Sequence, residues 1–299
     1  MPLYNLERSL TEMRRRWIRP LIALITDAFL IGCLSFWNID AFGSDTEVNS
    51  NHLPVDPKFQ PRLGTYYYVF DFNSIQIGTG KVVLSREGDF YKMQVFARTN
   101  STIDHIYKIR YKGENIIDAG RLSPVETRVS QRVKSVEKDT TISFQDDGTI
   151  KTTEEKSGKG KTKKDEHEIH TEKFTLDPFS VTYLVRVLDW EVGVEQIFDL
   201  YTGKSQYELR LKCENTAVID AGSEKRNAWV IVPIMKKLQD TEEDAKKRPI
   251  NMKIFVSADE FKDVLGIEAD YSIGRFRAVM ERFEPAPVPD EPVRQEKTK

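Results

Sequence analysis

Four groups of residues have the types and spacing to do chemistry. His167-Glu168-Ile169-His170 offers two imidazoles three residues apart, a start toward a metal site. The spacing does not match the H-E-x-x-H pattern of metalloproteases, and the surrounding charge density fits a solvated loop. Gly160-Lys161-Thr162 ends like a phosphate-binding loop, but Glu155 stands where the first glycine belongs, and no apolar strand and helix flank it. Asp104-His105 with a serine would form a nucleophilic relay, yet there is no Gly-x-Ser-x-Gly elbow to present the nucleophile. The paired carboxylates Asp146-Asp147 and Glu154-Glu155 fall in segments that read as turns and exposed loops, where solvation accounts for them. The expectation is a non-enzymatic protein with no catalytic residue, metal site or cofactor.

The N-terminus carries a different kind of chemistry. Arg14-Arg15-Arg16-Trp17-Ile18-Arg19 precedes an apolar run from Leu21 to Trp37, the order of a secretory signal peptide. Three outcomes stay open. Ala41-Phe42-Gly43 offers small residues for cleavage before Ser44; Leu30-Ile31-Gly32-Cys33 matches the bacterial lipobox, with Cys33 as the lipid attachment point; or the segment stays as a membrane anchor. Asp27 disfavours a permanent span, because a mid-segment carboxylate costs roughly 2.5–3.5 kcal/mol on insertion scales. Each of these three sends the chain to the periplasm or outer envelope of a bacterium, which is the expected location; the bland alternative is a buried helix of the folded domain.

Composition narrows the classes further. The 299 residues are 39% hydrophobic and 31% charged, which suits a globular domain with a real core. A formal net charge of -2 supplies no global basic field for nucleic acid, and the lysines of residues 151–173 are interleaved with carboxylates. The two cysteines, Cys33 and Cys213, are too few for a disulfide framework. Cys213 ends the alternating run Tyr207-x-Leu209-x-Leu211 and reads as a small buried hydrophobe.

The elements that would position any site are mostly strands. One segment, residues 175–190, is strongly helical: Asp177 is a good N-cap, Pro178 a good first residue, and Phe179, Tyr183, Leu184, Val187 and Leu188 form an apolar stripe. Around it lie roughly ten strand-like runs. Tyr91, Met93, Val95 and Ala97 alternate against Lys92, Gln94 and Arg98, giving one buried and one wet face. Asp147-Gly148 signals a hairpin. The predicted division is a signal or anchor over 1–43, a proline-containing tether over 44–63, one β-rich domain over 64–284 with a charged loop at 151–173 that reads as a solvated hairpin excursion, and a disordered proline-rich tail over 285–299. So much sheet in one domain must curl, giving a mainly β fold in which a curved antiparallel half-barrel or open barrel holds the principal helix on its concave side.

Several pieces in this order resemble a known family. They are Tyr68 to Gly78, Ala97 to Tyr107, the Leu122-Ser123-Pro124 turn, Leu176-Asp177-Pro178-Phe179-Ser180 running on to Arg186, Phe198 to Lys204, Met252 to Asp259, and Tyr271 to Gly274. Together they look like the bacterial exported family called domain of unknown function 3108. The sequence departs from the family pattern at Glu260 to Gly266, where a proline-containing turn is usual, and in the charged insertion at 151–173. The resemblance implies a curved sheet similar to periplasmic lipoprotein-carrier proteins, which hold acyl chains against a concave apolar face, and it transfers no catalytic residue.

The leading functional expectation is an envelope protein that binds a lipid or other hydrophobic ligand. Its lining would come from Phe179, Tyr183 and Leu184 of the helix and from Tyr91, Met93, Val95, Tyr207, Leu209 and Leu211 of the wall, if the sheet curls without closing tightly. Ile267, Ala269 and Tyr271 belong to the same inward set. The alternatives are a structural or protein-interaction module with a filled core and, with least support, an envelope hydrolase. Contact with a membrane would come through the N-terminal segment.

Overall fold

The computed structural model describes residues 59–238 and 251–287. The predicted signal segment, with Cys33, most of the tether and the end of the tail lie outside the described residues. No helix among the described residues is long and apolar enough to cross a membrane.

Among the described residues, fifteen strands form one sheet. The first eight are a meander: β1 (Gly64–Phe72), β2 (Ile75–Glu87), β3 (Phe90–Thr99), β4 (Ile109–Asp118), β5 (Pro124–Val133), β6 (Val136–Phe144), β7 (Thr149–Gly158) and β8 (Lys161–His170). Helix α1 (Ser101–Asp104) is a single turn between β3 and β4. After the short β9 (Thr175–Leu176) comes the principal helix, α2 (Pro178–Val187). A second meander follows in β10 (Glu195–Tyr201), β11 (Gln206–Ala221), β12 (Glu224–Lys237), β13 (Asn251–Ser257), β14 (Val264–Tyr271) and β15 (Gly274–Pro285).

The spatial order is β8-β7-β6-β5-β4-β3-β2-β1-β15-β14-β13-β12-β11-β10-β9. Every pair is antiparallel except β9 with β10. The first and last strands therefore meet at the middle, Gly64 opposite Pro285 and Phe72 opposite Phe276, and weld the two meanders into one wall. A sheet of this length cannot stay flat, because each strand is rotated against its neighbour by some −20 to −25°. Register shifts at Tyr67/Tyr68, Phe70/Asp71, Ile116/Ile117, Cys213/Asn215 and Phe255/Val256 add local bends.

The curled sheet stays open at the backbone level: no ladder joins β8 to β9. Its two ends overlap through side chains instead. Tyr201 of β10 is buried against Ile142 of β6 and Ile150 of β7. Its hydroxyl accepts from Thr152 Oγ1 at 3.1 Å and donates to the Gly203 carbonyl at 2.9 Å. Lys204 reaches Glu154 at 3.0 Å across the same seam.

The architecture agrees with the curved open sheet and the internal helix expected from the pattern. The strand count, fifteen among the described residues, is higher than the roughly ten runs expected. The charged segment 151–173, expected as a solvated hairpin excursion, is mostly paired strand. It is the β7–β8 hairpin, and its turn, Lys159-Gly160, has positive φ at both residues (52° and 74°), so the phosphate-loop look-alike is a hairpin turn. Glu154, expected to be solvated, is buried, because it faces the seam and is neutralised by Lys138 at 2.8 Å as well as by Lys204.

Candidate functional site

The concave side of the wall is the place where this fold could build a site, and α2 occupies it. Asp177 caps the helix as predicted, accepting from the Ser180 amide at 2.9 Å, and Pro178 supplies the first turn. The stripe read from the sequence is only part of what is buried. Phe179, Ser180, Val181, Tyr183, Leu184, Val185, Arg186 and Val187 are all buried, eight of ten residues. A helix lying on an open sheet would bury one face; this one is buried nearly all round because the wall wraps it.

Its two sides pack on opposite halves of the sheet. Phe179, Tyr183 and Val187 join Tyr91, Met93, Tyr111 and Met280 in one cluster. The Tyr183 and Tyr91 rings stand 5.2 Å apart between centroids. Phe179 lies flush on Gly113, where an added Cβ would come within 2.3 Å of the ring, so β4 needs glycine at that position. On the other side Val181, Leu184, Val185 and Leu188 pack with Tyr207, Leu209, Leu211 and Cys213. Cys213 is fully buried, and burial pushes its thiol upward, as for an inert core cysteine.

All nine residues expected to line a cavity are thus near α2 or on the walls that hold it, with Val95 half-buried beside the first cluster. They pack on one another instead of facing a chamber. Ala269 and Tyr271 sit in the first cluster, and Ile267 is half-buried between the two. The space left between helix and wall is about 30 Å³, lined by Tyr68, Leu84, Met93, Tyr183, Arg186 and Val264. That is the room of a water molecule or so, against the roughly 300–1,000 Å³ of ligand pockets. Larger hollows lie on the outside: one of about 830 Å³ at the rim, between the β6–β7 turn and residues 171–175, and a trough of about 780 Å³ across β15 and β1 to β5.

Two buried polar clusters pin the helix ends. At the N-terminus Asp177 also accepts from the Ser180 hydroxyl, from Thr127 Oγ1 at 2.5 Å and from Asn115 Nδ2 at 3.4 Å. Asp177 is fully buried, and the loss of solvent raises its carboxyl above the ordinary range while these donors pull the other way. Asn115 Oδ1 has no partner among the described residues. At the C-terminal end the buried Arg186 donates to Asp263 at 3.0 Å, to the Tyr66 hydroxyl at 2.9 Å and to the Lys262 carbonyl at 3.0 Å. Asp263, with no exposed side-chain surface, also receives Arg62 and, at 3.2 Å, Arg226. Three guanidiniums on one carboxylate tie the helix to the β13–β14 loop and to the start of β1.

Beyond the Asp177 cap, these anchors do not follow from the local pattern, although part of the signal is there. Asn115 and Thr127 occupy inward positions of β4 and β5, and a polar side chain in a buried row needs a partner. Arg186 sits inside the helix's apolar run and Asp263 in the stretch that departs from the family pattern, so neither announces the other.

The remaining chemical candidates are dispersed. His167 and His170 lie on β8 at an odd spacing, which turns them to opposite faces of the sheet. Asp104 faces away from any relay: it accepts from Arg110 Nη1 at 3.0 Å, and this bond holds its carboxyl at about 2. His105 instead contacts the Ser101 carbonyl. Asp146 pairs with Arg121 at 2.8 Å on the surface. Among the described residues no three acidic, histidine or cysteine side chains converge as a metal site would require.

Residues 66–281 match the model of a family described as protein of unknown function (DUF3108). No curated protein matches the chain. Among solved structures, a β-barrel-like protein from Brucella abortus, described as a domain of unknown function DUF1849, is similar with a TM-score of 0.49 and 9% identity over 77% of this chain and 100% of that one.

Proposed function

We propose, for a chain that belongs to the DUF3108 family, a non-enzymatic role in the bacterial cell envelope as an interaction module that binds on the outside of its wall. The observation that carries this reading is the occupied concavity: α2 leaves about 30 Å³ inside, while hollows of about 780 and 830 Å³ lie outside. Export is supported by the basic-then-apolar order of Arg14 to Trp37. The test is crosslinking in cells followed by purification under denaturing conditions. One dominant partner that is lost when outer-face residues are changed supports the reading. Turnover on a panel of ester, glycoside or peptide substrates would overturn its non-enzymatic part.

A second reading has its own support. The inner wall is apolar on both halves, and one ten-residue helix separates them. A lipid or acyl chain would be accommodated there if α2 withdrew, at the cost of breaking the Asp177 and Asp263 clusters. Lipid mass spectrometry of natively purified protein and a fluorescent fatty-acid titration decide between the two. A stoichiometric lipid or saturable binding favours the carrier; neither favours the filled module.

A further inference from the structure

The outer trough carries charges that the fold itself does not neutralise. In an antiparallel sheet, residues directly opposite share a face. Two adjacent outward rows cross β2 to β5. The first runs Lys81, Phe96, Lys112 in direct register, and the second Arg98, Arg110, Arg132. Between them the backbone of the small residues Gly80 and Ala97 forms the floor.

Some of this charge is compensated. Arg110 pairs with Asp104 at 2.5 Å, and Arg132 pairs with Glu137 at 2.8 Å. Lys81 lies over the Phe96 ring at 4.9 Å. Arg98 and Lys112 are exposed and have no carboxylate partner among the described residues, and neither has Lys81. Like charges placed directly opposite, as Arg98–Arg110 and Arg110–Arg132 are, destabilise a sheet. A chain of net charge -2 nevertheless gathers six cations around this trough, Arg282 of β15 being the sixth, against two lining carboxylates, Glu137 and Glu281, of which Glu281 lies 3.6 Å from Arg282. An anion in the trough would relieve that repulsion.

We propose that this trough is a binding site for a phosphate-bearing anion, held by Arg98 and Lys112 with Lys81 alongside, above the Phe96 ring. Arg98 and Lys112 are diagonal neighbours on adjacent strands, so the two long side chains converge on a group seated between them. Guanidinium forks and ammonium groups both suit phosphate oxygens, and three cations without a carboxylate partner call for at least two negative charges. The flat apolar ring explains why the ligand class is a phosphate attached to a larger group, either a lipid headgroup or a soluble phosphorylated molecule. The inference rests on the outward-acting reading only in placing function outside the wall.

The test uses the full chain and two probes. Inorganic pyrophosphate is titrated calorimetrically against wild type, Arg98→Ala/Lys112→Ala and, as a control on β8, Lys163→Ala/Lys164→Ala. The expected result is saturable binding weakened at least tenfold in the trough variant and unchanged in the control. Vesicles of phosphatidylcholine with and without phosphatidylglycerol are then compared by flotation. An anionic-lipid increment that the trough variant loses identifies a lipid headgroup; pyrophosphate binding without that increment identifies a soluble ligand. Both trough substitutions are exposed and remove repulsion, so the variant should melt no lower than wild type, and Lys112→Ala alone serves if it does not. Absence of both pyrophosphate binding and a variant-sensitive increment overturns the proposal, as does binding by the variant equal to wild type. Fatty acid entering the interior would overturn the filled-module reading and leave these results untouched.

Discussion

Asp177 is the side chain on which the interior depends most. It is at once the cap of α2 and the acceptor for Thr127 and Asn115 of the wall. Asp177→Ala should lose the cap, worth about 1 kcal/mol, and leave buried donors unpaired, for a total of about 2–4 kcal/mol in urea unfolding. A loss under about 1 kcal/mol would mean that the cluster holds nothing. Acid titration separates two carboxylates shifted in opposite senses. Asp104 is lowered to about 2 by Arg110, so its contribution is complete above the ordinary value of 3.8 and fades as the pH falls toward the folded value. The stability gap between wild type and Asp104→Asn should therefore narrow from about pH 5 to pH 3. Asp177 is raised by burial, so its ionised form is penalised and the folded state gains on protonation. Its gap to Asp177→Asn should widen as the pH falls toward the ordinary 3.8 and level off below it, and parallel behaviour of the two variants would contradict these assignments.

Helix and strand meet most closely where Phe179 covers Gly113. An added methyl there overlaps the ring, so Gly113→Ala should cost about 1–3 kcal/mol by overpacking. Phe179→Leu opens room at the same point, and the double variant should recover part of the loss. A double-mutant cycle with no coupling would show that the helix does not sit on β4 as described. The extent of the helix was legible, since Asp177-Pro178 starts it and the apolar spacing sustains it. Its all-round burial was not, because Val181, Val185 and Arg186 become interior only when a second half of the sheet arrives behind them. The β7–β8 hairpin shows the converse. Its charges suggested a loop, yet strand geometry needs only backbone pairing, and ten in-register pairs join it. β8 has no buried residue and its other edge is unpaired among the described residues, so mixed charge protects it from pairing with another chain.

Across the whole molecule, the weakest part should be that hairpin and the strongest the weld of β14, β15 and β1. Hydrogen exchange followed by mass spectrometry should find β8 exchanging first and the β1–β15 ladder last, spread over several orders of magnitude. Uniform protection would contradict a sheet with one free, solvated end. The amino-acid order by itself determined the strand-rich class, the site and start of the helix, the Asp147-Gly148 hairpin and the inward parity of the wall, because periodicity and capping act over a few residues. Only the tertiary structure decided that β1 pairs with β15 some 200 residues away, that the concavity is filled by its own helix, and that cations from five strands line one outer trough. Those outcomes depend on which distant segments become neighbours, and local spacing carries no record of that.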